Sequence, residues 1–226
     1  MASRNINDIY ELMRFIIKKE RGQFISIAEA METLDSCQLD VFENLFADYE
    51  KTQRIHDGLR PFRKVQQFVA SITGQVPFQD DYMHFTGNAN TIVGSTLYKI
   101  KWTNDDEWAD ATRSQLRAPS STMAIAKDLG KDDLVNNTGG FQIFPFAALS
   151  GQYDYLRRPA TPVLAYTQTG RTITYDAGSS TQLEWTDIYI NSIMFAALSY
   201  WGVDIDNDKL IQYAEMQKVQ TQTQQP

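Results

Sequence analysis

The chain has 226 residues, 42% hydrophobic and 22% charged, enough to bury a core without disulfides or metals. Its 21 basic and 28 acidic side chains leave a net charge of −7, which argues against phosphate binding as its main task, because nucleic-acid binders cluster Lys and Arg. A lone cysteine, Cys37, makes no internal disulfide, and its neighbours Asp35, Ser36 and Gln38 supply no positive charge to activate a thiolate.

The opening MASRNINDIYELMRFIIKKERG puts charge into every turn, so neither a secretory leader nor a membrane span is expected there. A protein made and kept in a cytoplasm, unless carried out by something else, is the expectation. Ile6, Ile9, Tyr10, Met13, Ile16 and Ile17 recur at helical spacing up to Gly22, which predicts a first amphipathic helix. Ser26 and Glu29 form a capping box for a short second helix carrying Ile27, Ala30, Met31 and Leu34. Asp35 with Gln38 caps a long third helix, with Leu39, Phe42, Leu45, Phe46 and Tyr49 on one face, ending at Gly58 or before Pro61. Pro61 opens a fourth, with Phe62, Val65, Phe68, Val69 and Ile72, stopped by Thr73 and Gly74. The span Ser26 to Tyr49 imitates a helix-turn-helix. The acids Asp40, Glu43, Asp48 and Glu50 on its second helix would repel DNA, so a packing role is the better reading.

From Val76 the period becomes two. Tyr82 to Phe85 and Thr96 to Trp102 read as strands, Asp105 to Leu116 as a helix, Ala118 to Gly140 as a long loop, and Phe141 to Pro145 as the next strand. The stretch from Gly151 to Trp185 alternates aromatic or aliphatic with polar residues, and the rest of the chain is organised around it. Its strands are placed at Tyr153 and Tyr155, at Val163 to Tyr166, and at Ser180 to Trp185; Gln168 to Arg171 turn back into Thr172 to Tyr175 as a hairpin. Helical spacing returns with Ile188, Ile190, Ile193, Met194, Ala197, Leu198 and Trp201 and stops at Gly202. A last helix follows, capped by Asp206 or Asn207, and QKVQTQTQQP closes the sequence with little to bury. The expected fold class is α+β. It has a helical segment over 1–74, a central antiparallel β-rich region with a hairpin over 75–186, C-terminal helices over 187–216 packing on the same core, and a flexible tail over 217–226.

No catalytic signature stands out. Asp204, Asp206, Asp208 and Glu215 fit positions of a calcium loop, but Lys209 occupies the place of the turn glycine, and capping of the last helix explains the same acids. Two histidines, His56 and His84, are too few for a multi-histidine metal site and read as surface or satisfied side chains. The carboxylate groups Asp80 with Asp81, Asp105 to Glu107, and Glu184 with Asp187 have the chemistry of an acid and base pair, although turns and helix starts already account for them. No cofactor or metal is expected.

The phrases LRPF at Leu59 to Phe62, YLRRPATPVLAY at Tyr155 to Tyr166, TYD at Thr174 to Asp176 and LEW at Leu183 to Trp185, with a closing helix ending in Gly202, together resemble virion structural proteins of tailed phages infecting Bacteroidetes, in particular the crAss-like group. The resemblance runs over most of the chain and carries no catalytic motif. It implies a non-enzymatic, ring-forming head-to-tail connector (neck) subunit, assembled in the bacterial host cytoplasm and residing in the virion. Its partners would be further copies in a closed twelvefold ring and the portal and tail proteins, with DNA passing nearby in a channel and no membrane. Another tail component, such as a tail-hub or fibre-attachment protein, is the alternative; a carboxylate-dependent hydrolase is a more distant one. The expected contact residues are Tyr155, Arg157 and Arg158, in an extended segment that projects charge before Pro159, and the hairpin tip from Gln168 to Arg171.

Overall fold

Helix starts and stops written locally in the chain are where the structure follows the sequence most closely. Asn5 caps helix α1 (Ile6–Arg21) by accepting from the Asn7 N–H, and Gly22, at φ 65°, closes it. Ser26 and Glu29 make the expected reciprocal capping box at the start of α2 (Ile27–Ala47). The computed structural model describes residues 5–22, 24–49, 53–114, 118–130, 139–146, 149–169 and 172–202. The expected last helix, the calcium-loop acids and the Gln-rich tail lie outside the described residues.

The fold is α+β, in two units: Met1–Pro61 with Pro159–Pro226, and Phe62–Arg158. The division therefore falls at other places than the expected boundaries after 74 and 186.

The first unit holds α1, α2, α3 (Gln53–Leu59), a two-stranded hairpin of β9 (Tyr166–Thr169) and β10 (Thr172–Tyr175), and α5 (Asp187–Tyr200). Ile6, Ile9, Met13, Leu34, Phe42 and Ile193 are fully buried in it. Phe42 meets Trp185 edge to face at 6.3 Å. Buried Gln38 is satisfied on both sides: its Nε2 donates to Asp35 Oδ1 at 2.7 Å and to the Ala160 carbonyl at 3.0 Å, and its Oε1 accepts from Trp185 Nε1 at 3.3 Å. Asp35 and Gln38 thus bond to each other inside one helix instead of starting a third. The continuous α2 has no turn between two short helices, which removes the helix-turn-helix reading.

The second unit is β-rich. Its strands are β1 (Arg63–Val69), β2 (Gln75–Pro77), β3 (Tyr82–Val93), β4 (Thr96–Lys99), β5 (Lys101–Trp102), β6 (Ile125–Asp128), β7 (Gly140–Phe144) and β8 (Ser150–Arg157), with helix α4 (Asp105–Arg113) between β5 and β6. They form two four-stranded sheets, ordered β1-β8-β3-β4 and β2-β7-β6-β5. All pairs are antiparallel except β5 with β6. Both sheets feed one core, in which Phe68, Phe78, Phe141, Tyr153 and Tyr155 pack together.

Several expectations are corrected here. The fourth helix does not exist: beyond a 3-10 turn at Arg60–Phe62 the chain forms β1. Seven residue pairs with β8, from Arg63 opposite Leu156 to Val69 opposite Ser150, override the helical spacing. The single strand Thr96 to Trp102 serves two sheets, because the Ile100 N–H still bonds the Ala89 carbonyl while the Lys101 N–H turns to the Ala124 carbonyl. The long loop contains β6, whose Ile125 and Ala126 are buried between β5 and β7. Val163 to Tyr166 and Ser180 to Trp185 are not full strands: Val163 and Thr181 make one isolated bridge. The hairpin is present, with Thr169 opposite Thr172.

Candidate interaction surface

The alternation SGQYDYLR fixes the two faces of β8. Tyr153 and Tyr155 point into the core of the β-rich unit, so Asp154 and Leu156 point the other way. Because β1 runs antiparallel with Lys64 opposite Tyr155, both side chains reach the same carboxylate in the turn before β3. The Tyr155 hydroxyl donates to Asp81 Oδ1 at 2.7 Å, and Lys64 Nζ donates to Asp81 Oδ2 at 2.6 Å. The backbone carbonyl of Asp81 accepts from the Arg158 N–H at 2.8 Å. On the opposite face, Arg63 pairs with Asp154, whose carbonyl accepts from Thr86 Oγ1 at 2.9 Å. The Arg157 guanidinium lies 5.6 Å from the Phe62 ring centroid and donates to the Arg158 carbonyl.

Burial alone would raise the Asp81 pKa. Hydrogen bonds from Lys64 and Tyr155 and the charges of Lys64 and Arg157 outweigh it and hold this carboxylate below its ordinary value. Tyr155 is pushed up, first by burial and then by its bond to Asp81.

This arrangement corrects one expected contact residue. Tyr155 is 2% exposed and spends its hydroxyl on Asp81, so it holds β8 to the β3 turn and presents nothing to a neighbour. Arg157 is half-buried over Phe62 and Arg158 is exposed. Gln168 lies on β9, in the helical unit, opposite Ile173, and Arg171 lies outside the described residues. The structure thus brings three of the five together at the end of β8. What sequence reasoning missed is Asp81 as the organising acceptor, since Lys64 had been placed on a helix.

The strand next to β8 supplies a second feature. The Ala70 N–H bonds the Leu149 carbonyl, and in that register the even-numbered residues of β1 bond β8 while Val65, Gln67 and Val69 turn their N–H groups away from it. β1 ends its sheet on that side, and Val65 and Val69 are 57% and 68% exposed.

Besides Asp81, three of the carboxylates that resembled acid and base pairs have structural partners, whereas Asp187 Oδ1 is buried without a hydrogen bond among the described residues. Asp105 faces Lys127 at 3.4 Å, Glu107 faces Lys101 at 3.3 Å, and Glu184 accepts from the Ala160 N–H at 3.0 Å. The His56 ring stands 4.1 Å from that of Tyr49, and His84 lies on β3 opposite Leu156. A groove of about 310 Å³ in the helical unit is lined by Glu29, Glu32, Cys37, Asp40, Tyr200 and Trp201. Burial, then the Asp40 charge, pushes the Cys37 thiol up and keeps it protonated. Among the described residues no group of three or more His, Cys, Asp or Glu is placed to hold a metal ion, and no helix is long and apolar enough to cross a membrane.

No family model matches the chain, and no curated protein matches it.

Proposed function

We propose that this chain is a non-enzymatic structural subunit of a phage virion, a ring-forming head-to-tail connector between portal and tail. The observation that carries the proposal is strand β1, which ends its sheet among the described residues and exposes Val65 and Val69 along that edge. Exposed apolar residues beside unpaired backbone groups suit contact with another protein chain. The charged side chains near the end of β8 serve assembly in the same way. Asp81 and Asp154 fasten β1, β8 and the turn before β3, and Arg158 is exposed just beyond the end of β8.

The phage assignment comes from the resemblance, and the motifs that carry it fall on structural positions. Leu59 and Phe62 of LRPF, and Leu183 and Trp185 of LEW, are buried, while YLRRPATPVLAY begins at the Tyr155 anchor. A ring subunit needs two unlike surfaces that meet head to tail and close by rotation. The test is the copy number of this chain in purified virions, measured against the portal protein. One copy per portal subunit supports a closed ring; a few copies per particle would favour the tail-hub or fibre-attachment reading.

A further inference from the structure

Sheet edges invite pairing with other chains, and folded proteins blunt them with charge, proline or shortness. Three of the four edges of the two large sheets are blunted in this way. β2 ends in Pro77, β5 has only two residues, and β4 has four residues and ends in exposed Lys99. β1 is different. Val65 to Val69 runs without charge or proline, and the two charges that open the strand are held within the unit, Arg63 by Asp154 and Lys64 by Asp81 at 2.6 Å. Of its outward backbone groups, the Gln67 carbonyl is covered by a side-chain amide, that of the adjacent Gln66 at 2.9 Å.

The end of the chain has the composition of a matching strand. Val219 to Gln225 reads VQTQTQQ, in which Val219, Thr221 and Thr223 alternate with Gln220, Gln222 and Gln224, without charge or proline. Laid along β1, its β-branched face would fall beside exposed Val65 and Val69, and its amides beside Gln66. Residues 203–218 stand between this segment and Gly202, the last described residue. Those 16 residues reach about 50 Å when extended.

We infer that Val219 to Gln225 of a second copy adds as a strand to the edge of β1 that no described strand pairs, bonding the outward backbone groups of Val65, Gln67 and Val69. This inference rests on the ring reading, which asks each protomer for one donating and one accepting surface. A strand given to the next copy supplies both at once; the same strand folded back onto its own β1 would supply neither.

Amide hydrogen exchange of the full chain tests this, followed over a wide range of protein concentration alongside the mass in solution. Exchange at Val65, Gln67 and Val69 is expected to slow by about tenfold or more as the oligomer forms. The double variant Thr221→Pro/Thr223→Pro, which removes two backbone donors from the segment, should lose that protection. Gln67→Pro should lose it too and keep its circular dichroism, because the Gln67 N–H is not part of the β1–β8 ladder and proline is tolerated at such edge positions. Protection independent of concentration would mean that the segment folds onto its own subunit, and equal exchange in parent and double variant would exclude strand addition; either overturns the inference. Normal closed rings in virions carrying Gln67→Pro would reject the strand and leave the ring reading intact. Absence of any ring of this chain in wild-type virions would reject the ring reading itself, whatever the exchange shows.

Discussion

The Tyr155 hydroxyl and the Asp81 carboxylate, 2.7 Å apart, join the central strand of a sheet to the turn that starts its neighbour. Tyr155→Phe removes the donor from a buried ring and leaves Asp81 to Lys64 alone, so it should cost about 1–2 kcal/mol in denaturant unfolding. The carboxylate gives the linked pH effect. Its folded pKa lies below the ordinary carboxylate value of 3.8, so its contribution is present above that value and is lost as pH falls through the folded one. The stability gap between the parent and Asp81→Asn should be widest near neutrality and shrink in acid. A gap that widens on acidification would contradict the bonding described.

Tyr82, Tyr153 and Tyr155 share one core, and burial raises all three, Tyr153 to about 12. A phenol held neutral by the fold adds stability below its unfolded pKa, and that stability is lost as pH rises through the folded value. Unfolding free energy should therefore be insensitive to these groups up to about pH 10 and fall above it. Phenolate absorbance should show these three ionising together with unfolding. Free titration of every tyrosine near its ordinary value, with the fold intact, would argue against this core.

Gly151 lies opposite Phe68, whose ring fills the space where a side chain would stand. A Cβ there would come within 2.3 Å of the Asn90 carbonyl and 2.4 Å of the Phe68 ring. Gly151→Ala must push β3 or Phe68 aside and should cost about 1–3 kcal/mol, read as a lower denaturation midpoint. A neutral or stabilising outcome would show that the strands are looser here than the distances imply.

How much of this was legible in the sequence follows from how local each signal is. The Ser26–Glu29 box, Gly22, Asn104 at the start of α4 and the hairpin are written within a few residues, and all but the Asn104 cap were readable in advance. β1 was not readable, because Phe62, Val65, Phe68, Val69 and Ile72 satisfy a helical period. The apolar residues on both of its faces hide the alternation of a strand. The partner that decides the matter, β8, arrives some 90 residues later. Asp81 suffered from the same error, since Lys64 meets it only once β1 is a strand. Tyr155 was placed correctly on a strand but on the wrong face for a contact, as nothing in YDYLR says which side the core occupies.

Arg158 is exposed, whereas Arg157 packs over Phe62 and contributes to the field that keeps Asp81 ionised. The two should therefore separate on mutation. Arg158→Glu is expected to block incorporation into particles while the monomer keeps its helix and strand content. Arg157→Glu places a carboxylate in the range of Asp81 and should lower stability by about 1 kcal/mol or more. Normal virions assembled from Arg158→Glu protein would exclude this residue from the contact surface.

The most direct measurement of the central claim is an image of the virion neck, reconstructed without imposed symmetry and resolved well enough to trace this chain. The account predicts a closed ring of this subunit, coaxial with the portal and twelvefold as the resemblance implies, with β1 of each protomer facing its neighbour. This chain found outside the neck, or in a number that closes no ring, would contradict it.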